Sequence, residues 1–326
     1  MFKAIQIDKA EGHYSASLVE LDEQTLPEGD VTVAVEYSSI NYKDALAITG
    51  RGPIVRQFPM VPGIDFAGTV TASDSADYAV GDRVLLTGWG VGERHWGGLA
   101  GKARVKSEWL TKMPAGADAK QVMAIGTAGF TAMLCVQAVL DHGVKPEDGP
   151  VLVTGAGGGV GSCAVIILAA MGYQVVASTG RPQEAGWMRE QLGASDIINR
   201  DELSAPGKPL QKERWVAAID TVGSHTLSNV CASVRYDGIV AACGMAQGMD
   251  LPATVAPFIL RGVTLRGIDS VMVSSAKRPA IWEKACQYLT PAALDKLSAV
   301  YPLSEAIEVA EKLLNGQIRG RAVIQI

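Results

Sequence analysis

Cysteine is scarce in this chain, and none occurs before Cys135. The five present, Cys135, Cys163, Cys231, Cys243 and Cys286, are odd in number and form no C-x-x-C pair, which argues against a disulfide framework. Apolar or small neighbours mark them as buried free thiols; the alternative, a catalytic thiolate, lacks a cation or histidine nearby in sequence. Histidine is equally sparse: His13, His95, His142 and His225 sit at no ligand spacing from one another. A catalytic zinc needs about three Cys, His or carboxylate ligands and a structural one usually four, so no metal is expected. His95, between Arg94 and Trp96 in a glycine-rich loop, has the best functional case of the four, against a structural or solvent-exposed role. Charge is also modest. Charged residues make up 19% of the chain and the net charge is −5, which argues against a polyanion such as nucleic acid as main partner, local basic patches aside. No uninterrupted apolar run reaches membrane-spanning length, and Met1-Phe2-Lys3-Ala4-Ile5 begins on strand-like alternation rather than a signal-peptide core. A cytoplasmic protein with no membrane partner is the expectation. Internal repeats and low-complexity segments are missing too.

What is present is core-forming material, 48% hydrophobic residues over 326 positions, enough for two domains. The first 120 or so residues read as β-rich: Val31 to Tyr37 alternates, Gly68-Thr69-Val70-Thr71 follows a Pro-Gly turn, and Gly81-Asp82 turns into Arg83 to Leu86. From about Gly126 short apolar runs alternate with helical patterns. Val151 to Val153, Tyr173 to Ala177, Ile197-Ile198, Trp215 to Asp220, Gly238 to Cys243 and Val263 to Ile268 are the strands of an expected α/β, doubly wound parallel sheet. Helical sequence at Arg278 to Tyr288 and Ser304 to Leu314 precedes a last strand, Ala322 to Ile326.

Among these runs, Val151-Leu152-Val153-Thr154-Gly155-Ala156-Gly157-Gly158-Gly159-Val160-Gly161 leads from a strand through glycines into an apolar helix. Absent side chains let backbone approach a pyrophosphate, and the helix N-terminus aims unsatisfied N–H groups at it. The second strand ends in Ser178-Thr179-Gly180-Arg181, with no Asp or Glu where an NAD-selective site would hold the ribose 2′-hydroxyl. Hydroxyls and a guanidinium attract a 2′-phosphate, so the cofactor expected is NADPH. The competing reading of Arg181 is a solvated loop arginine ahead of the helix-starting Pro182.

Longer motifs carry a family resemblance over essentially the whole length: Pro62-Gly63-Ile64-Asp65-Phe66-Ala67-Gly68, Gly81-Asp82-Arg83-Val84, Gly126-Thr127-Ala128-Gly129-Phe130-Thr131-Ala132, and Asn315-Gly316-Gln317-Ile318-Arg319-Gly320-Arg321. With them the chain resembles the zinc-independent medium-chain dehydrogenase/reductases. Ser38 to Leu46 and Leu86 to Gly98 look like the NADPH-dependent acryloyl-CoA reductase group, long labelled quinone oxidoreductases. Where zinc-dependent relatives carry a His-Glu pair, this chain has Ile64 and Asp65. The resemblance implies a GroES-like catalytic domain over 1–125, completed by about 300–326, a Rossmann NADPH-binding domain over 126–299, and a homodimer with Val263 to Ile268 as the pairing edge.

For the site, the resemblance puts Gly157, Gly158, Gly159 and Val160 on the pyrophosphate and Thr179, Gly180 and Arg181 on the 2′-phosphate. It puts Arg200 at the adenine edge or 2′-phosphate, and Met245, Ile259, Ser270 and Asn315 nearer the nicotinamide; Met245 and Ile259 could equally be core. Without a metal Lewis acid, reduction of a polarised C=C bond is the natural chemistry, and donors facing the developing enolate oxygen would supply the largest catalytic effect. Asn41-Tyr42-Lys43-Asp44 offers an amide, a phenol, an ammonium and a carboxylate in four residues. Tyr42 is the expected catalytic and nicotinamide-contacting residue, its alternative being a tyrosine packed at a helix start. Lys43 and Asp44 could be simply first-turn residues. The resemblance implies acryloyl-CoA as substrate, with Arg51, Arg56, Arg94 and Lys102 as candidates for CoA phosphates or a solvated face. A quinone or enone reductase, or a non-catalytic NADPH-binding protein, remains the alternative.

Overall fold

A computed structural model describes residues 1–10 and 13–326. The chain divides into two units, the first formed by Met1–Thr127, Ser270–Cys286 and Leu297–Ile326, the second by Ala128–Asp269 and Gln287–Lys296.

In the first unit, β1 (Phe2–Ala10) and β2 (His13–Leu21) form an antiparallel pair. A seven-stranded sheet contains β3 (Val31–Ile40), β4 (Asp65–Ser73), β5 (Arg83–Thr87), β6 (Lys102–Val105), β7 (Thr111–Lys112) and the C-terminal strands Ser298–Pro302 and Arg321–Gln325. Arg321–Gln325 lies between Ser298–Pro302 and β3, so the end of the chain completes the sheet begun near its start. Val31, Val33 and Val35 on β3 meet Phe66, Val84 and Leu86 in one core cluster, as period-2 patterning requires. A second cluster joins Ile5, Ile7, Ile40 and Met60 to α1 (Tyr42–Thr49) and the helix Ala306–Leu314.

Ser270–Cys286 departs from the sequence expectation, which counted it within 126–299 with the parallel sheet; it groups with the first unit instead. The buried Arg278 guanidinium explains the grouping. It donates to the carbonyls of Val271 (2.9 Å) and Val273 (2.9 Å) and, beyond them, to the carbonyl (2.8 Å) and hydroxyl (3.0 Å) of Thr87 at the end of β5. It also lies 4.8 Å from the centre of the Trp89 ring.

α2 (Ala119–Asp141) is interrupted at Gly126, whose φ of 52° is left-handed. A Cβ there would stand 2.3 Å from Arg321 Nη2, so both conformation and space demand glycine. By length and composition α2 is apolar enough to cross a membrane, but 83% of its most apolar window is buried inside the protein.

The second unit contains a six-stranded parallel sheet of β8 (Val151–Val153), β9 (Val175–Thr179), β10 (Asp196–Asn199), β11 (Trp215–Asp220), β12 (Val234–Ala242) and β13 (Thr264–Gly267). The order β10-β9-β8-β11-β12-β13 winds outward in both directions from β8, with α3 (Gly159–Ala170) crossing from β8 to β9. A crevice outside the carboxyl ends of β8 and β11 is therefore the topological switch point, where ligands of such sheets bind.

Candidate active site

At that switch point the ends of β8 and β11 are tied together. Thr154 donates to Asp220 Oδ1 (2.7 Å), the Thr221 amide donates to the Thr154 hydroxyl (3.0 Å), and Asp220 Oδ2 accepts from the amides of Val222 (3.2 Å) and Gly223 (2.8 Å). Burial holds the Asp220 carboxyl above the usual carboxylate range. The glycine turn follows. Gly161 packs so closely that a Cβ would lie 2.3 Å from the Gly155 carbonyl oxygen, which lets α3 start against the strand. Gly158 occupies the N-cap, no side chain caps α3, and Gly159 and Val160 form its first turn. These N-terminal amides face a strand end without a competing side-chain acceptor, a fit for a diphosphate.

The end of β9 supplies the positive charge. The Ala156 amide donates to the Ser178 carbonyl (3.1 Å), joining the glycine turn to β9. Thr179 accepts the Arg181 amide on its hydroxyl (3.0 Å) and the Arg200 amide on its carbonyl (2.9 Å). Arg200 crosses over Gly180, where a Cβ would meet its Nε at 2.5 Å. Arg181 donates from Nη2 to the Gly157 carbonyl (2.8 Å) and pairs through Nε with Glu184 (3.1 Å). Its side chain is only 25% exposed, so it is not the solvated loop arginine of the alternative reading, although Pro182 does open a helical turn. Gly157, Thr179, Gly180, Arg181 and Arg200 thus come together. Two guanidiniums beside an uncapped helix N-terminus suit a dinucleotide carrying an extra phosphate. Met245 and Ile259 are 64% and 73% exposed, which removes the core-packing alternative for both.

In the first unit, Tyr42 opens α1 and is 54% exposed. Its backbone is fixed by a buried polar network. Asn41 donates its amide to Asp44 Oδ2 (2.9 Å) and its side-chain Nδ2 to Asp65 Oδ2 (3.0 Å), and accepts from Arg321 Nη1 (2.9 Å). Arg321 also donates to Ser39 (2.7 Å) and the Ala124 carbonyl (3.0 Å). Asp44 accepts from the amides of Gly63 (3.1 Å) and Ile64 (2.8 Å), tying α1 to the loop before β4. Burial, reinforced by the nearby Asp65 carboxylate, pushes the Asp44 carboxyl up to about 7 against the pull of these donors. Asp44 is therefore a buried cross-link and not an ordinary first-turn residue. Lys43 does stay near the surface, paired with Glu93 at 2.7 Å.

Ser270 lends its carbonyl to Arg278 Nη2 at 3.4 Å, and Asn315 accepts from Arg51 (3.3 Å) at the end of the helix Ala306–Leu314. Of the cations considered for CoA, Arg51 pairs with Glu311 and Lys102 with Glu23, whereas Arg56 and Arg94 are exposed. His95 meets the Arg104 carbonyl through Nε2 (2.7 Å) and Trp109 edge-on, and burial lowers its pKa, a structural role. Cys135, Cys163 and Cys231 are buried, but Cys243 and Cys286 are partly exposed, unlike the sequence expectation for all five. Among the described residues no three His, Cys, Asp or Glu side chains gather as a metal ion would require.

Sequence reasoning missed Glu184, Asp65 and Arg321 as site-forming residues. Glu184 left a local signal, standing three residues after Arg181 on a helical turn.

Two family models match the chain: "Alcohol dehydrogenase GroES-like domain" over residues 27–115 and "Zinc-binding dehydrogenase" over residues 159–289. A probable acrylyl-CoA reductase AcuI of Escherichia coli is 53% identical over 324 residues, covering 99% of both chains. The acrylyl-CoA reductase AcuI of Ruegeria pomeroyi is 50% identical, covering 100% of this chain and 99% of the relative. Among solved structures, the yhdH oxidoreductase from Salmonella enterica in complex with NADP superimposes with a TM-score of 0.97 at 52% identity, covering 99% of each chain.

Proposed function

Since this chain belongs to the zinc-independent medium-chain dehydrogenase/reductase family, we propose that it is an NADPH-dependent reductase of acryloyl-CoA, forming propanoyl-CoA. The observation that carries this reading is likeness along the full chain, at 50–53% identity, to two relatives named acrylyl-CoA reductase. Bound NADPH supplies a hydride to the carbon β to the thioester carbonyl. The chain's own residues do the rest.

The bare turn at Gly157 and Gly158, whose Gly158 amide donates to the Gly155 carbonyl (2.9 Å), and the amides of Gly159 and Val160 at the start of α3 receive the pyrophosphate, and Thr179, Gly180, Arg181 and Arg200 receive the 2′-phosphate. Met245, Ile259, Ser270 and Asn315 complete the cofactor's surroundings. Tyr42 Oη delivers the proton that the α-carbon takes up, its backbone held by Asn41, Asp65 and Arg321 so that the phenol is presented from a rigid turn. The protein works as a cytoplasmic homodimer, a location that suits five free thiols.

Steady-state NADPH oxidation tests the substrate. A kcat/KM far higher for acryloyl-CoA than for benzoquinones or free acrylate is expected; comparable values would assign the chain to quinone or enone reduction instead. Tight NADPH binding with no enone or enoyl thioester reduced would leave a binding protein without turnover.

A further inference from the structure

The edge of Arg181 best suited to gripping a phosphate is already engaged. A guanidinium holds an oxyanion bidentately through two adjacent N–H groups. In Arg181 the Nε side faces Glu184 Oε2 at 3.1 Å, and Nη2 donates to the Gly157 carbonyl at 2.8 Å. The Glu184 contact is ionic, without the alignment of a directed hydrogen bond, and Oε2 is shut away from solvent with no other hydrogen-bond partner. A carboxylate in that position is held by charge alone and gives way to a ligand with more charge and better geometry.

The guanidinium also covers the phosphate turn. A Cβ built on Gly157 would stand 2.6 Å from Arg181 Nη2 and 3.2 Å from Glu184 Oε2. Arg181 and Glu184 therefore lie together against a glycine meant to remain bare.

We propose that Glu184 is a specificity-determining residue that competes with the cofactor's 2′-phosphate for Arg181, holding the arginine against Gly157 until a 2′-phosphorylated nucleotide displaces it. This inference rests on the reading of Arg181 as the 2′-phosphate ligand. The displaced carboxylate would lie beside a phosphate and repel it, so Glu184 lowers affinity for 2′-phosphorylated nucleotides and has little effect on those with a bare ribose hydroxyl.

Isothermal titration calorimetry with 2′,5′-ADP and with ADP, on the wild type, Glu184→Gln, Arg181→Ala and the double variant, tests this without turnover. Glu184→Gln should tighten 2′,5′-ADP by about two- to tenfold and leave ADP unchanged. That gain should vanish in the Arg181→Ala background. Unchanged or weaker 2′,5′-ADP binding by Glu184→Gln overturns the proposal, weaker binding meaning that the carboxylate orients the arginine. A gain that survives without Arg181 overturns it as well, since general repulsion would then suffice. Failure of the underlying reading has a different signature: Arg181→Ala would keep the preference for 2′,5′-ADP over ADP.

Discussion

The buried side chains of the first unit carry more of its stability than their exposed neighbours, and Asp44 ties that stability to pH. Its carboxyl stands at about 7 in the folded chain, well above the 3.8 of an ordinary aspartate, so the folded state holds this proton more tightly than the unfolded state. The linked contribution favours folding at low pH, fades as pH rises from about 4, and is lost above about 7. Asp44→Asn should flatten that part of a urea stability profile measured across pH 4–7. It should also cost about 1–3 kcal/mol, because an amide NH2 would replace an oxygen that accepts from the Asn41 amide. An unaltered slope would show that another group sets it. Arg321→Ala strands Asp65 and Asn41 without their buried cation, and a loss of about 3–5 kcal/mol by chemical denaturation is expected. At the cofactor site, Arg181→Ala should raise the KM for NADPH by about 10- to 150-fold and leave that for NADH nearly unchanged. Equal effects on both cofactors would instead point to a role in shaping the turn.

Elements show which parts of this arrangement could be read in advance. The passage from β8 through the glycines into α3 was legible because apolar runs and glycine spacing are local signals, and Gly161 turns that signal into a test. Gly161→Ala places a methyl 2.3 Å from the Gly155 carbonyl oxygen, so the variant should bind NADPH at least tenfold more weakly or lose several degrees in Tm. Wild-type calorimetry and melting would contradict the tight packing. The place of Arg181, two residues past the end of β9, was legible for the same reason, since the strand pattern fixes where β9 stops. The buried network around Asn41 was not, because its partner Arg321 lies 280 residues away and nothing in either local pattern announces the other. Ser270–Cys286 escaped for a related reason: its allegiance is settled by Arg278 reaching Thr87, 191 residues earlier, while in sequence it simply follows β13, the last strand of the parallel sheet.

Over the whole molecule, the homodimer reading meets a specific surface. β13 is an outer strand of its sheet, and the helix Ala256–Arg261 leading into it exposes Ile259 and Leu260. An open edge beside apolar side chains invites pairing with a second copy. Sedimentation equilibrium at micromolar concentration should return the mass of two chains, and Leu260→Asp should shift it toward one; a monomeric wild type would retire the dimer. The two units have a further property in how the chain visits them. It changes unit after Thr127, after Asp269, after Cys286 and after Lys296, so neither unit is a continuous piece of the polypeptide. Expression of residues 1–127 alone would yield β3 without the strand Arg321–Gln325 that pairs Tyr37 to Ile40, and with Asn41 facing an empty place where Arg321 belongs. In genetic terms the gene has no point at which it can be cut into two self-sufficient halves: a swap of nucleotide-binding modules between relatives must exchange two separate stretches together, 128–269 and 287–296.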